Sequence, residues 1–177
     1  MTSVSSGVTS SGLTISSGGQ LVVLSGGTVE SSTILSGGSG RLLSGGVGKT
    51  LTVSAGGVLD GPGQLEAHNT VAGTVSGVTV SGTGSTAGLV LLSGGVASNV
   101  SVTGATDFLQ IEAGASATGT VLTSHGYDEV FGSATSTTVN DGCTEYVSAG
   151  GETISATVLS GGTVSLDPGA IGDVVTV

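Results

Sequence analysis

The sequence predicts an all-β fold, a right-handed parallel β-helix (β-solenoid) with about nine coils of about 19 residues each. Three observations favour this fold. Paired glycines recur at a fixed period, apolar residues recur at the same period, and Thr or Ser alternates with Val or Ile around them. Alternation with a period of two is typical of half-buried strands, and glycines mark the turns between them.

The glycine pairs define the length of a coil. They begin at Gly18, Gly26, Gly37, Gly45 and Gly56, so that a shorter and a longer interval alternate and together make one period. The same alternation returns later at Gly142, Gly150, Gly161 and Gly169. Glycine adopts a positive φ without a steric penalty, and a neighbouring serine can bond to the turn backbone. Each coil is therefore expected to comprise two strands and two glycine turns.

One column of apolar residues is expected to stack in the core. Its members are Ile15, Ile34, Val53, Val102, Val121, Val139 and Val158. They follow the glycine period within each block, except that Val139 comes one position early after Val121. The hydroxyl residue before each member is expected to point outward, because side chains alternate along a strand. The threonines of this outward ladder are Thr14, Thr33, Thr52, Thr120, Thr138, Thr157 and also Thr176, which precedes Val177.

The chain is expected to be one solenoid domain over residues 1–177, interrupted by an irregular inserted segment at about residues 58–88. The interval from Val53 to Val80 exceeds one period by the shorter of the two glycine intervals. The segment carries Pro62, His68 and two acidic residues. Insertions in solenoids become loops on one face, which is often the binding face. The alternative is an imperfect coil without a function.

Charge limits the classes of partner. Twelve acidic residues face only Arg41 and Lys49, for a formal net charge of −10. Binding to nucleic acids requires cationic side chains, so this class of partner is excluded, and attraction to an anionic membrane is disfavoured. No apolar run reaches the roughly 18 residues of a membrane helix, so no membrane insertion is expected. Met1 to Gly7 lack a secretory signal, which implies another export signal or a trimmed chain.

Few residues suit catalysis. The candidate carboxylate pairs are Asp128 with Glu129 and Asp141 with Glu145, since glycoside hydrolysis needs two carboxylates about 5–10 Å apart. Because the chain has no tryptophan to stack on sugars and only two basic residues, we expect no enzyme and assign no catalytic residue. No metal site or cofactor is expected, although calcium stays open because hard cations take oxygen ligands; the nearest motif is residues 103–107.

Two residue types are left without a role. His68 and His125 are the only histidines, and Cys143 is the only cysteine. A single cysteine cannot form an internal disulfide and gives no indication of the compartment.

The phrase Thr-x-Val/Leu-Ser-Gly-Gly, repeated at alternating short and long intervals, resembles the AIDA-type repeat of bacterial autotransporter passenger and adhesin proteins. The matching stretches are residues 13–57, 88–95 and 144–169. The resemblance implies a right-handed parallel β-helix at the cell surface or outside the cell, with roles in adhesion, autoaggregation or biofilms. It also implies that the outward threonines are candidate glycosylation acceptors. Similar repeats also precede Hint (hedgehog/intein-like) domains, and a processed product of that kind would suit a chain that ends on a coil boundary.

The sequence therefore predicts a structural or adhesive extracellular bacterial repeat protein. The repeat runs to Val177 without an evident polar cap, and an open coil presents unpaired backbone groups to another chain. We expect head-to-tail assembly of the chain with itself into fibres. The alternative is a fragment of an autotransporter passenger adhesin that binds host or neighbour-cell glycans. A β-helical polysaccharide-active enzyme is a third possibility.

Overall fold

The computed structural model describes residues 1–82 and 84–176, which form a parallel β-solenoid without a helix in that part of the chain. The strands are short because a glycine turn or a tight corner interrupts the chain every few residues. In chain order they are β1 (Thr2–Val4), β2 (Thr9–Ser11), β3 (Thr14–Ile15), β4 (Gln20–Val23), β5 (Thr28–Glu30), β6 (Thr33–Ile34), β7 (Ser39–Leu42), β8 (Val47–Lys49), β9 (Thr52–Val53), β10 (Val58–Asp60), β11 (Gln64–Glu66), β12 (His68–Val71), β13 (Thr74–Ser76), β14 (Thr79–Val80), β15 (Gly88–Leu91), β16 (Val96–Ser98), β17 (Ser101–Thr103), β18 (Phe108–Ile111), β19 (Ser116–Thr118), β20 (Val121–Thr123), β21 (Tyr127–Val130), β22 (Ser133–Thr135), β23 (Thr138–Val139), β24 (Thr144–Val147), β25 (Glu152–Val158), β26 (Thr163–Leu166) and β27 (Ile171–Thr176).

The strands form an 18-stranded sheet and a nine-stranded sheet. From β1 to β24, each coil contributes two strands to the larger sheet, in two parallel columns that begin with β1 and β2, and one strand to the nine-stranded sheet, which begins with β3. In the last coils, β25 and β27 each replace two such strands with one longer strand. Every strand pairs in parallel with its equivalent one coil away. The expectation of two strands per coil is wrong, because a tight corner divides the longer half of each coil into two short strands.

Coil length varies around the predicted period. On β10, Val58 pairs with Ser39 of the preceding coil and with Thr74 of the following coil. Thr74 is closer to Val58 in the sequence than Ser39 is, so the coil from β10 to β13 is the shorter of the two. The next coil is longer, since Thr74 pairs with Val96. A second long and short pair follows, in which Ser116 pairs with Val96 and with Ser133. Short and long coils thus compensate each other, which keeps the strands stacked and the ladder continuous.

Two kinds of turn connect the strands. In the wide turn, Gly26 has a φ of 73°, and its N–H donates to the carbonyl oxygen of Gly45 one coil away at 2.7 Å. A side chain there would bring a Cβ within 2.7 Å of Ser6 Oγ. The tight corner is a single residue with a positive φ, such as Ser31 at 45° or Asn99 at 51°. Turns of one kind stack on each other over several successive coils.

The tight corner changes its place along the chain. Ser31 lies between β5 and β6, before the nine-stranded sheet, whereas Asn99 lies between β16 and β17, inside the 18-stranded sheet. The coil of β10 to β12 has a positive φ at both places, at Gly61 and Ala67. Segment 58–88 therefore contains coils of unequal length that carry out this exchange. The interval from Val53 to Val80 departs from the period because the two residues belong to different sheets.

The core is a stack of buried aliphatic side chains. Ile15, Ile34, Val53, Val102, Val139 and Val158 are buried, but the first three lie in the nine-stranded sheet and the others in the 18-stranded sheet. Val121 is only half-buried, because Val102 pairs with Leu122 in a coil that is one residue longer than the period. Leu122 takes the core position and is fully buried.

The predicted threonine ladder is divided in the same way. Thr14 and Thr52 are exposed and Thr33 is half-buried on the nine-stranded sheet, while Thr138 and Thr157 are half-buried on the larger sheet. Thr120 does not point outward, because it follows the tight corner at Gly119 and is only 1% exposed. The equivalent residues of the coils before and after, Val100 and Thr137, are also buried. The Thr176 side chain lies outside the described part.

Candidate functional site

Ring side chains gather on the outer face of the nine-stranded sheet. The chain has only two Phe, two Tyr and two His. Four of these six rings, which we call the aromatic strip, are His68, Phe108, Tyr127 and Tyr146. Successive ring centroids lie 5.6, 5.8 and 6.2 Å apart. The strip follows the solenoid axis from β12 to β24, across five neighbouring strands of the sheet.

A missing side chain makes the strip continuous. Gly88 lies between His68 and Phe108 in the strand ladder. The Phe108 ring covers this glycine so closely that a Cβ on Gly88 would lie 2.7 Å from its Cε1 atom. Because position 88 has no side chain, Phe108 can lie over it and contact His68 two coils away.

A groove of about 500 Å³, called here the aromatic groove, opens at the far end of the strip. The ring planes of Tyr127 and Tyr146 meet at 81° and form two of its walls. His125, on the turn before β21, lies against the next turn, since a Cβ on Gly142 would be 2.8 Å from Nε2. The groove is lined by Ala105, His125, Tyr127, Glu129, Gly142, Thr144 and Tyr146.

The groove is acidic. Burial raises the pKa of Tyr127 above its usual value, and the nearby Glu129 and Tyr146 raise it further, so the phenol keeps its proton and can donate a hydrogen bond. The only Lys and Arg of the chain lie on the 18-stranded sheet. Lys49 pairs with Glu66 at 3.0 Å and Arg41 with Asp60 at 3.6 Å. Both cations are thus engaged away from the groove, and Glu129 is not in an ion pair in the described part.

Two carboxyl groups lie in the core behind the groove. Asp128 and Glu145 are opposite each other on β21 and β24, and neither side chain is exposed. Thr153 Oγ1 donates to Glu145 Oε2 at 3.0 Å. Both oxygens of Asp128 and Oε1 of Glu145 have no hydrogen-bond partner among the described residues.

Their surroundings favour the neutral acids. Burial raises the pKa of Asp128 well above its usual range, and the charge of Glu145 adds to this effect. Burial also raises the pKa of Glu145, and the hydroxyls of Thr137 and Thr153 oppose that shift. A buried carboxylate without a partner is costly, so these groups respond by holding their protons.

The carboxylate pairs considered from the sequence do not converge. Asp128 points into the core, whereas Glu129 is half-buried on the outer face, because neighbouring residues on β21 alternate in direction. Asp141 lies exposed on a turn, whereas Glu145 is in the core. Neither pair therefore places two carboxylates in one cleft.

Asp107, in the segment considered for calcium, has another task. Its Oδ1 accepts a hydrogen bond from the N–H of Ala87 at 2.7 Å, and Oδ2 accepts one from Gly82 at 2.8 Å. It therefore holds the backbone at Gly82 and at Ala87. Over residues 1–82 and 84–176, no three His, Cys, Asp or Glu side chains are grouped as metal ligands. The same part of the chain contains no helix that could cross a membrane.

Cys143 is a core residue that is 1% exposed. Burial raises the pKa of its thiol. Because the thiolate is the reactive form of cysteine, this thiol is expected to be inert.

The aromatic strip was not assigned from the sequence, although a signal for it exists. Phe108, Tyr127 and Tyr146 are evenly spaced in the sequence, at the period of the coils. The actual partner of Tyr127 is Thr144, since this coil is shorter than the period. Tyr146 lies two residues further along β24, and a shift of two keeps a side chain on the same face. His68 could not be linked to the series, because Gly88 occupies the position between.

Of the three comparisons with known proteins, only the one with solved structures gives a match. No family model matches this chain, and no curated protein matches it. Among solved structures, the chain is similar to a crystal structure of the TibA 55–350 fragment, hyperglycosylated in a reaction catalysed by TibC. The two are 24% identical, the match covers 99% of this chain and 91% of that chain, and the TM-score is 0.37. Similarity at this level leaves the function to be argued from the residues of the chain itself.

Proposed function

We propose that this chain is a structural and adhesive repeat module of a bacterial cell surface or extracellular matrix, and that it has no enzymatic activity. The contrast between the outer faces carries the proposal. Most of the surface is Ser, Thr and Gly, while four ring side chains and the aromatic groove lie on one sheet. A groove with one carboxylate, Glu129, can bind a ligand but lacks the second carboxylate that hydrolysis needs.

The solenoid suits display of this face. Each coil adds about 4.8 Å, so nine coils make a rod of roughly 43 Å. Parallel pairing between all neighbouring coils holds the strip residues at fixed separations. The fold therefore presents its rings as a preformed surface, which lowers the entropy lost on binding.

Contact between copies is the second part of the proposal. At one end of the solenoid, Leu166 is 46% exposed and Ile171 is 60% exposed beside the open edges of β26 and β27. At the other end, β1, β2 and β3 each have one neighbour. Open strand edges attract further strands, and a head-to-tail contact gives filaments rather than closed rings.

The two ends differ in one respect that such a contact must accommodate. A wide turn at Gly7 separates β1 from β2, whereas at the other end β27 is one continuous strand over Ile171–Thr176. Stacked copies must therefore join unlike corners. The coil of β10 to β12 makes such a junction inside the chain.

Negative-stain electron microscopy over a range of concentrations tests the contact between copies. Filaments are expected for the unchanged chain and discrete particles for Ile171→Asp, because a charge would then lie in the apolar contact. Leu92→Asp is the matched control, since Leu92 is 42% exposed on a turn away from both ends. Discrete particles of the unchanged chain at every concentration would reject head-to-tail assembly.

The alternative function is that of a fragment of an autotransporter passenger adhesin that binds host or neighbour-cell glycans. The aromatic groove favours it, since large rings with polar groups are typical of binding sites. Beads coated with the chain are expected to adhere to members of a glycan array, and Tyr146→Ala is expected to reduce adhesion where Leu92→Ala does not. Release of sugar from the array, abolished by Glu129→Gln, would instead show an enzyme.

A further inference from the structure

We propose that the aromatic groove binds an amine-bearing glycan, that is, a chain of pyranose sugars with free ammonium groups. This inference rests on the proposed adhesive function and specifies the ligand. Three properties of the groove define the occupant: its ring walls, its hydrogen-bonding groups and its charge.

The ring walls fit the flat apolar face of a pyranose. Tyr127 and Tyr146 meet at 81° in an edge-to-face contact, which covers one face of only one of the two rings. Tyr146 is 47% exposed, so ring surface is open to the groove. Aromatic side chains gain most from burying such surface against another apolar face.

The hydrogen-bonding groups fit a polyhydroxyl ligand better than a lysine side chain. His125, Thr144 and the neutral phenol of Tyr127 all line the groove. Together they supply both donors and acceptors at separate points. A sugar can use all of these groups through its hydroxyls, whereas the aliphatic stem of lysine can use none of them.

The charge selects the amine. Glu129 lines the groove, and the two cations of the chain are paired on the other sheet. The whole chain has a net charge of −10. An ammonium group would form a charge-assisted hydrogen bond with Glu129, while a uronic acid would meet repulsion.

The direction of the strip extends the site beyond the groove. Phe108 and His68 continue from Tyr127 along the solenoid axis, with ring centroids 5.8 and 5.6 Å apart. A linear glycan that starts in the groove can therefore follow the strip over several coils. We expect affinity to increase with the number of sugar units.

Isothermal titration calorimetry of the whole chain tests the inference with four probes: the tetramers of glucosamine, N-acetylglucosamine and galacturonic acid, and tetralysine. The glucosamine tetramer is expected to bind roughly tenfold more tightly than its acetylated form, because acetylation removes the charge-assisted bond. The galacturonic acid tetramer is expected not to bind.

Three variants locate the site. Glu129→Gln is expected to weaken binding of the glucosamine tetramer about tenfold, and Tyr146→Ala at least about fivefold. Glu30→Gln makes the same change of charge on the 18-stranded sheet, and it is expected to stay within about twofold of the unchanged chain. Thermal unfolding of each variant verifies that it is folded.

The inference is overturned if the glucosamine tetramer does not bind, or if its acetylated form or tetralysine binds as tightly as it does. It is also overturned if Glu30→Gln weakens binding as much as Glu129→Gln. If coated beads still adhere through Tyr146 to other glycans, the adhesive function stands and only the ligand is wrong. If the beads adhere to nothing and no filaments form, the proposed function itself fails.

Discussion

At the scale of single residues, the alternation along β21 separates two kinds of chemistry. Tyr127 and Glu129 face the groove, while Asp128 lies between them in sequence but points into the core. Asp128 faces Glu145 there, and three of their four carboxyl oxygens lack a hydrogen-bond partner among the described residues. The solenoid therefore contains a pair of acids whose charged forms oppose its folding.

This pair predicts a stability that falls as the pH rises. The ordinary pKa values of Asp128 and Glu145 are 3.8 and 4.5, and burial raises both in the folded chain. Well below these ordinary values both carboxyls are protonated in either state, so they impose no penalty. At higher pH the unfolded chain loses these protons first, which favours unfolding.

Thermal unfolding from about pH 4 to pH 8 measures the effect. Asp128→Asn and Glu145→Gln are expected to reduce the loss of Tm over this range, since neither amide ionises. Asp141→Asn, on an exposed turn, should leave the loss unchanged. An equal pH dependence in the Asp128 variant and the unchanged chain would show that the pair is not held neutral.

Residue-level prediction from the sequence succeeded where the period was regular. Ile15, Ile34 and Val53 are evenly spaced and are all buried. It failed at Thr120 and Val121, because Val102 pairs with Leu122 and every side chain in this strand therefore lies on the face opposite to the expected one. The regular spacing of two valines was compatible with either register, and only the stacking of whole coils decides between them.

At the scale of elements, tight corners depend on polar side chains that bond to the backbone. Asn69, in β12 just after the corner at Ala67, is 1% exposed. Its Oδ1 accepts a hydrogen bond from the N–H of Leu51 at 2.9 Å, and its Nδ2 donates to the carbonyl oxygen of Glu66 at 2.9 Å. Ser32 has the same role one coil before Leu51, since its Oγ accepts from Leu13 N and donates to Glu30 O.

Asn69→Ala is expected to lower the free energy of unfolding by about 1–3 kcal/mol, because the N–H of Leu51 would be left buried without a partner. Gln20→Ala, at an exposed position of β4, is expected to change it by less than about 0.5 kcal/mol. Urea unfolding measures both. Equal stability of the two variants would show that the Asn69 contacts do not hold this corner.

The sequence could not reveal these corners. A wide turn is marked by a glycine pair, but the residues of the tight corner include Ser31, Thr50, Ala67 and Asn99, which share no residue type. At other coils the same corner is a glycine, such as Gly119. The adjacent coil holds these corners, since Ser31 N–H donates to the carbonyl oxygen of Lys49 and Asn99 N–H to that of Thr118. For this reason the third strand of each coil and the exchange of corners around β10 to β12 were missed.

At the scale of the whole molecule, the solenoid places chemistry by stacking. Rings that are one or two coils apart in the sequence become neighbours because each coil lies on the one before it. Since each coil contacts only its neighbours, the groove depends on the coils of β18, β21 and β24 more than on the coils that begin the solenoid. Adhesion should therefore take place through the nine-stranded sheet, at a site distinct from the ends that would join copies.

Hydroxyl-radical footprinting of the chain while it is attached to the glycan surface it adheres to tests this localisation most directly. We expect protection of Phe108, Tyr127 and Tyr146, with Leu92 and the residues of the 18-stranded sheet reacting as they do in the free chain. Protection of Leu166 and Ile171 alone would indicate contact between copies only. Protection confined to the 18-stranded sheet, with an unchanged aromatic strip, would contradict adhesion through the groove.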